Sequence, residues 1–167
     1  AVALADTATF AIAPQFLRLP YDPVRGFAGI GPLAAAPLVV LVPRAAPYRT
    51  LADLLQAARQ PHRRLAYLHP GLGSTAHLAA ELLMQAGDVT LDPVEAYGPA
   101  AAARALLAGE AAMAVLPVAV ALPPVEAGAL RALAVTCRGR SPSLPEVPSC
   151  AEQGFQVVLA GAAGGRA

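Results

Sequence analysis

The sequence predicts an α/β domain in which a mostly parallel sheet carries helices on both faces. Between about residues 50 and 137, strand-like segments alternate with helix-like segments, a pattern typical of repeated strand–helix–strand units. Glycine and proline separate these segments at short intervals. Hydrophobic residues make up 56% of the 167 residues, which is enough to bury both faces of such a sheet.

The elements follow in order along the chain. Two strands are expected at 27–36 and 38–42, separated by Pro37, which has no backbone donor. Thr50 and Asp53 form a capping-box pattern that begins a helix ending near Arg59. The later segments are a strand at 65–68, a helix at 76–86 closed by Gly87, a strand at 89–94, a helix at 99–108, a strand at 111–116, a helix from Pro117 to Gly128, a strand at 130–136 and a last strand at 155–159.

Composition and charge argue against several classes of function. All 12 basic residues are arginines scattered along the chain, the net charge is +1 and aromatic residues are 5%, so no nucleic-acid-binding face is expected. The charge-free runs at 26–43 and 111–125 are broken by glycine or proline or are too short, so neither is expected to span a membrane. Residues 1–6 do not form a signal peptide, so in an exported protein the signal would lie upstream or have been removed.

Cys137 and Cys150 are the two cysteines of the chain. They suit either a disulfide in an oxidising compartment or two buried free thiols, because the sequence does not give the distance between their Cα atoms.

One loop contains residues that are suited to binding an anion. Gly71, Gly73, Ser74 and Thr75 lie between a predicted strand and a predicted helix. Glycine lets the backbone turn and approach a ligand closely, and the first turn of the helix presents free N–H groups and a positive dipole end. The loop therefore suits a carboxylate or phosphate, although the same residues also suit a plain turn followed by a capped helix.

A dinucleotide-binding enzyme domain is the alternative. Gly71, Gly73 and Ala76 fit the relaxed fingerprint G-x-G-x-x-G/A, and Asp92 sits near the position of a ribose-binding acid. Against it, residues 69–70 separate the strand from the first glycine, where the fingerprint has a tighter turn. A Walker A loop is excluded because the chain has no lysine.

No catalytic residue, metal or cofactor is expected. Ser74, His77 and Glu81 share a helix face by spacing, but the strained elbow G-x-S-x-G is absent. His77 is interpreted as packing near the loop or hydrogen-bonding its backbone. The three histidines lack metal-ligand spacing; they are His62, His69 and His77.

Several segments resemble one receptor family and keep its order and spacing. Residues 19–27 read LPYDPVRGF, which resembles LPYDPVKDF. Residues 71–81 read GLGSTAHLAAE, which resembles GNGSSSHLAGE. Residues 127–136, AGALRALAVT, and 140–148, RSPSLPEVP, resemble AGKLRALAVT and RSPALPDVP. The chain is thus similar over nearly its whole length to the Bug-type receptors of the tripartite tricarboxylate transporter family.

This resemblance implies a type II periplasmic binding-protein fold, mostly one lobe, with remnants of the other lobe at both termini. Residues 1–30 would be the end of the first lobe and a crossover, residues 31–154 the second lobe, and residues 155–167 the return crossover. The resemblance implies a periplasmic protein that binds a small organic carboxylate and delivers it to a membrane permease. It does not imply an enzyme.

The resemblance also implies a ligand site. In the family the Gly-rich loop holds a ligand carboxylate through backbone N–H and hydroxyl groups. That role falls here on Gly71, Gly73, Ser74 and Thr75, and a second ligand-facing loop corresponds to Tyr97 and Gly98.

Departures from the family pattern bear on the ligand. Ala112 and Leu116 replace acidic residues, and His69-Pro70 replaces a serine pair. A less polar pocket is therefore expected, without the acidic partner that the ammonium of an amino acid needs. His69 is a candidate additional donor.

By the family's standard, the chain holds little more than one lobe. Weak carboxylate binding is expected, because such receptors clamp the ligand between two lobes. A truncated lobe with no remaining ligand binding is a further alternative. Unpartnered apolar strands at 1–20 and 155–167 predict self-association.

Overall fold

A 15-residue strand, β2 (Gly29–Pro43), connects the two parts of the sheet. The structure, a computed structural model, describes residues 3–60, 62 and 64–166. The other strands are β1 (Ala3–Asp6), β3 (Ala66–His69), β4 (Asp92–Glu95), β5 (Met113–Pro117), β6 (Leu130–Val135) and β7 (Ala160–Arg166). The helices are α1 (Leu51–Ala58), α2 (Thr75–Gly87), α3 (Pro99–Leu107) and α4 (Val118–Glu126), with short helical turns at Ala8–Ile12, Ala13–Gln15 and Ala151–Gln153.

The sheet is mixed. The second half of β2 pairs antiparallel with β5 on one side and with β6 on the other. Beyond β5 the pairing is parallel, with β3 between β5 and β4. The first half of β2 pairs antiparallel with β7, which also pairs with β1. The α/β class with flanking helices is confirmed, and the parallel part is confined to β3, β4 and β5.

Helices cover both faces of the part of the sheet that contains the second half of β2. Alternate residues of β2 enter opposite cores, as the period of two in a strand requires: Val40 and Val42 face α1 and α2, whereas Val39 and Leu41 face α3 and α4. Helix α1 begins at the predicted capping box, in which the Thr50 side chain accepts from the Asp53 N–H and the Asp53 carboxylate accepts from the Thr50 N–H.

The bounds of two predicted strands, at Pro37 and at 89–94, differ from those observed. Pro37 does not divide two strands but lies within β2, where the partner changes from β7 to β5. A missing N–H is tolerated there because the ladder is interrupted at that point in any case. The strand expected at 89–94 begins only at Asp92, because Val89 N–H donates to Met84 O and completes the end of α2.

The strand expected at 155–159 is wrong. Val157 is buried in the core, but within the described residues no strand is paired with 155–159, and Leu159 contacts Thr136, just beyond the end of β6, through its N–H. The apolar pattern there reflects burial, and the strand begins at Ala160, where β2 supplies a partner.

Residues 29–37, β1 and β7 form an antiparallel extension of the sheet. The domain boundaries at residues 30 and 154 stay predictions. Of residues 1–6, Ala1 and Val2 lie outside the described residues. Within the described part of the chain, every helix is too short or too polar to cross a bilayer.

Candidate functional site

Two loops meet at the carboxyl ends of the parallel strands. The Gly-rich loop (residues 71–75) connects β3 to α2, and residues 96–98 connect β4 to α3. Because β3 and β4 are paired, their loops adjoin: Gly98 N–H donates to Pro70 O at 3.1 Å. Gly73 has φ +74° and Gly98 has φ +97°, conformations that favour glycine. The fold therefore brings the two predicted ligand loops together.

The amino end of α2 supplies donors to the first loop. The Ser74 hydroxyl oxygen accepts the His77 backbone N–H at 3.2 Å and caps the helix. The N–H groups of Thr75 and Ala76 have no acceptor within the described part of the chain. These N–H groups and the positive end of the helix dipole suit an anion.

A cleft of about 690 Å³ lies between the Gly-rich loop and an N-terminal segment (residues 8–21). Gly73 lies close to this segment, since a Cβ there would be 3.9 Å from Ile12 Cγ2. The residues lining the cleft are Ala8, Thr9, Ile12, Ala13, Phe16, Leu17, Leu19, Tyr21, Gly71, Leu72, Gly73, Ser74, His77 and Leu78. The sequence did not predict the lining residues that precede Gly71, because no local signal places them opposite a loop that follows 50 to 63 residues later.

The predicted site residues differ in their relation to this cleft. Gly71, Gly73 and Ser74 line it, and Thr75 follows as the first residue of α2. Tyr97 and Gly98 lie in the adjoining loop but outside the cleft wall, and Tyr97 is 90% exposed.

The wall of the cleft is mainly apolar. Among the described residues that line it, none is Arg, Asp or Glu, and the titratable side chains are those of His77 and Tyr21. This agrees with the less polar pocket expected from Ala112 and Leu116, although those two residues do not themselves line the cleft.

His77 connects the Gly-rich loop to a polar cluster behind it. The Gly73 N–H donates to His77 Nδ1 at 3.3 Å, so the interpretation of His77 as a partner of the loop backbone is confirmed. His77 Nε2 lies 3.7 Å from Glu81 Oε1, which accepts the Tyr67 hydroxyl at 2.5 Å. The Tyr67 and His77 rings are stacked with centroids 6.5 Å apart.

The environment shifts the ionisation of two cluster members. Burial raises the pKa of Tyr67, and the Glu81 carboxylate, which accepts a hydrogen bond from the Tyr67 hydroxyl group, raises it further. Burial, and then the nearby His69, lower the pKa of His77, against a smaller raising effect of Glu81. His77 is therefore neutral near pH 7. With Nδ1 accepting a bond, the ring proton is on Nε2, facing Glu81.

His69 does not line the cleft. It is only 4% exposed, and its ring centroid lies 4.8 Å from that of His77. Its Nδ1 is buried without a hydrogen-bond partner among the described residues. The expectation that His69 donates directly to a ligand is therefore not supported by its position.

Ser74 and His77, which share a helix face with Glu81, form a helix cap and not a nucleophile–base pair. Ser74 Oγ accepts the backbone N–H of His77, while the ring of His77 is engaged by Gly73. In the described part of the chain, no three His, Cys, Asp or Glu side chains are grouped to hold a metal ion.

The fold also bears on the dinucleotide alternative. Asp92 is paired with Ala66 at the start of the parallel strands, whereas the Gly-rich loop follows their other end. At about 3.3 Å per residue, the strand separates the two by about 10 Å. Asp92 lies near Arg64, with 3.8 Å between their charged atoms. A ribose-binding acid would lie at the same end as the loop, so this alternative is disfavoured.

Both cysteines are free thiols. Cys150 belongs to the core beneath α1 and α2, whereas Cys137 packs against the core on the opposite face of the sheet. Of the two alternatives left open by the sequence, the structure therefore shows free thiols.

Known proteins resemble this chain in sequence and fold. A UPF0065 protein in the tcbD-tcbE intergenic region of Pseudomonas sp. (strain P51) is 37% identical over 145 residues, covering 84% of this chain and 43% of that protein. The structure of R. palustris Rpa4515 with adipate is 31% identical, with a TM-score of 0.89 over 98% of this chain and 56% of that one. MatC from Rhodopseudomonas palustris with bound malate, 23% identical with a TM-score of 0.87, shares the fold.

The chain spans about half the length of the curated relatives that it matches. The match to the family itself is nearly complete for this chain, because the family described as "Tripartite tricarboxylate transporter family receptor" matches residues 1–163. The chain therefore belongs to the receptors of the tripartite tricarboxylate transporter family.

Proposed function

We propose that this chain is the ligand-capturing part of a periplasmic receptor that binds a small organic carboxylate and presents it to the membrane permease of a tripartite transporter. In this role it is a binding protein and not an enzyme. The main supporting observation is the apolar cleft lined by Ser74, the N-cap of α2. The N–H groups of the next two residues, Thr75 and Ala76, have no acceptor among the described residues, as an anion site at a helix amino end requires.

The cleft suits an acid with a hydrocarbon body. Apolar side chains from the N-terminal segment and Leu72 and Leu78 would contact such a body, while the Gly-rich loop would bind one carboxylate. The relative Rpa4515, at 31% identity, has been solved with adipate, an acid of this kind. An amino acid fits less well, because the described wall offers no carboxylate to its ammonium group.

A thermal-shift screen against aliphatic mono-, di- and tricarboxylates tests the proposal. An acid that binds the folded state raises the melting temperature, and the shift grows with its concentration. Ser74→Ala should reduce this shift because it removes the hydroxyl at the loop. Thr50→Ala is the matched control, since Thr50 caps α1 in the same way but lies outside the cleft.

Both substitutions remove an N-cap and should lower the free energy of unfolding by about 1 kcal/mol. Only Ser74→Ala should also reduce the thermal shift produced by the acid. The absence of a shift with every acid would favour a lobe that no longer binds ligand by itself. A shift with a dinucleotide alone would reinstate the alternative based on Gly71, Gly73 and Ala76.

A further inference from the structure

One N–H donor of the Gly-rich loop is occupied by a side chain of the protein itself. Gly73 N–H, which the family resemblance assigns to the ligand, donates to His77 Nδ1. A carboxylate can take this N–H only if the imidazole releases it. His77 and Gly73 both line the cleft, so an oxygen bound at the loop would be near both groups.

The charge of a bound carboxylate also needs compensation. Among the described residues of the cleft wall there is no arginine, and of its two titratable side chains only His77 can become a cation. Burying an anion against apolar side chains without a cation or several donors is costly. A proton on Nδ1 would turn His77 from an acceptor into a charged donor facing the loop.

We propose that the hydrogen bond from Gly73 N–H to His77 Nδ1 holds the Gly-rich loop until a ligand binds, and that carboxylate binding transfers this N–H to the ligand while His77 takes up one proton from solvent at Nδ1. This inference rests on the proposed carboxylate-binding function. The hydrogen bond to Nδ1 breaks, one from Gly73 N–H to the ligand oxygen forms, and the new Nδ1–H donates to the same carboxylate.

Glu81 makes this exchange feasible. Its Oε1 lies 3.7 Å from His77 Nε2, so the imidazolium would lie between two carboxylates, one from α2 and one from the ligand. The titratable groups around His77 are Glu81 on α2, Tyr67 and His69 on β3, Glu95 on β4 beside Gly71, and Tyr21 in the N-terminal segment. Burial, and then His69, lower the pKa of His77, whereas the charge of a bound carboxylate would raise it and so favour protonation.

The proposed proton uptake makes ligand affinity depend on pH in one direction. A ligand that raises the pKa of His77 binds more tightly as the pH falls, by up to about tenfold per pH unit for one proton. The effect should be measured above pH 6.5, where a carboxylic acid with an ordinary pKa near 4 stays ionised.

Calorimetric titration of the 167-residue chain with adipate tests the proton uptake. Titrations at pH 6.5, 7.25 and 8, each in two buffers of different ionisation enthalpy, give the affinity and the number of protons bound. We expect net uptake of up to one proton and tighter binding at low pH. In His77→Asn the amide oxygen replaces Nδ1 as an acceptor but takes no proton, so its affinity should not change with pH. His62→Asn, at an exposed turn, should behave like the unmodified chain.

The same proteins without ligand give an independent readout by NMR. The amide signal of Gly73 should follow the titration of the His77 ring, because protonation removes its acceptor. If adipate binds without proton uptake, the inference fails while the proposed function stands. If adipate gives no heat, the function fails for this acid and the Gly73 titration decides: a signal that ignores His77 overturns the inference, and one that follows it supports the holding role.

Discussion

At the scale of single residues, the buried thiol of Cys150 makes stability depend on alkaline pH. Burial, and then the nearby Cys137, raise the pKa of this thiol from its ordinary value near 9 to about 11. As the pH rises past 9, the unfolded chain loses this proton first, so the stability present below pH 9 is lost as the pH approaches 11.

We expect the free energy of unfolding to fall by about 1 kcal/mol between pH 8 and 10 through this group. The chain has no lysine to titrate within this window. The Tyr67 hydroxyl, whose pKa is also raised, adds a decline of the same sign near the upper end of the window. Urea unfolding at both pH values measures the change. Cys150→Ala should reduce the decline, whereas Cys137→Ala should keep most of it. An equal decline in Cys150→Ala and the unmodified chain would contradict the assignment.

At the scale of elements, α1 and α2 are in close contact at a glycine. A Cβ at Gly87 would lie 2.9 Å from Leu55 Cδ2 and 3.1 Å from Cδ1. Leu55 is buried, so it has little room to move. Gly87→Ala should therefore lower the free energy of unfolding by about 1–3 kcal/mol through overpacking, although alanine is the better helix former.

A double-mutant cycle separates this contact from other effects of the substitution. Leu55→Ala alone should cost about 2–5 kcal/mol, because it leaves a cavity. In that background Gly87→Ala should cost close to nothing, since the new methyl group fills part of the space. Chemical denaturation of the four proteins gives the coupling energy, and equal costs of Gly87→Ala in both backgrounds would refute the packing argument.

At the scale of the whole molecule, the first half of β2 carries an apolar surface open to solvent. Residues 29–36 are exposed, with Ile30 at 64% and Leu33 at 70%. Exposed apolar strands of this kind favour association. We therefore expect the chain to self-associate at rising concentration through this half of β2.

Sedimentation velocity over a concentration series measures this association. Replacing Ile30 and Leu33 together by serine should weaken it by at least about tenfold, which corresponds to 1.4 kcal/mol. Leu107→Ser is the matched control, because Leu107 is 47% exposed but lies on α3. A monomer at all concentrations, or an equal effect of the control, would show that this surface does not drive association.

The sequence alone determined the α/β class, the order of most elements and the Gly-rich loop as the site candidate. These depend on short-range interactions. The Thr50–Asp53 capping box and the Ser74 cap join atoms three residues apart, and the strand and helix periods are visible within one segment. The segment at 155–159 shows the limit of such signals, because an apolar pattern reports burial but not the presence of a neighbouring strand.

Only the tertiary structure decided what surrounds that loop. Ile12 and Tyr21 line the cleft although they precede Gly71 by 59 and 50 residues, and Asp92 lies at the opposite end of the parallel strands from Gly71. The packing of His77 against Tyr67 and His69 likewise depends on how α2 lies on β3. Contacts between distant segments form because the sheet brings the segments together, and they leave no pattern in the local sequence of either one.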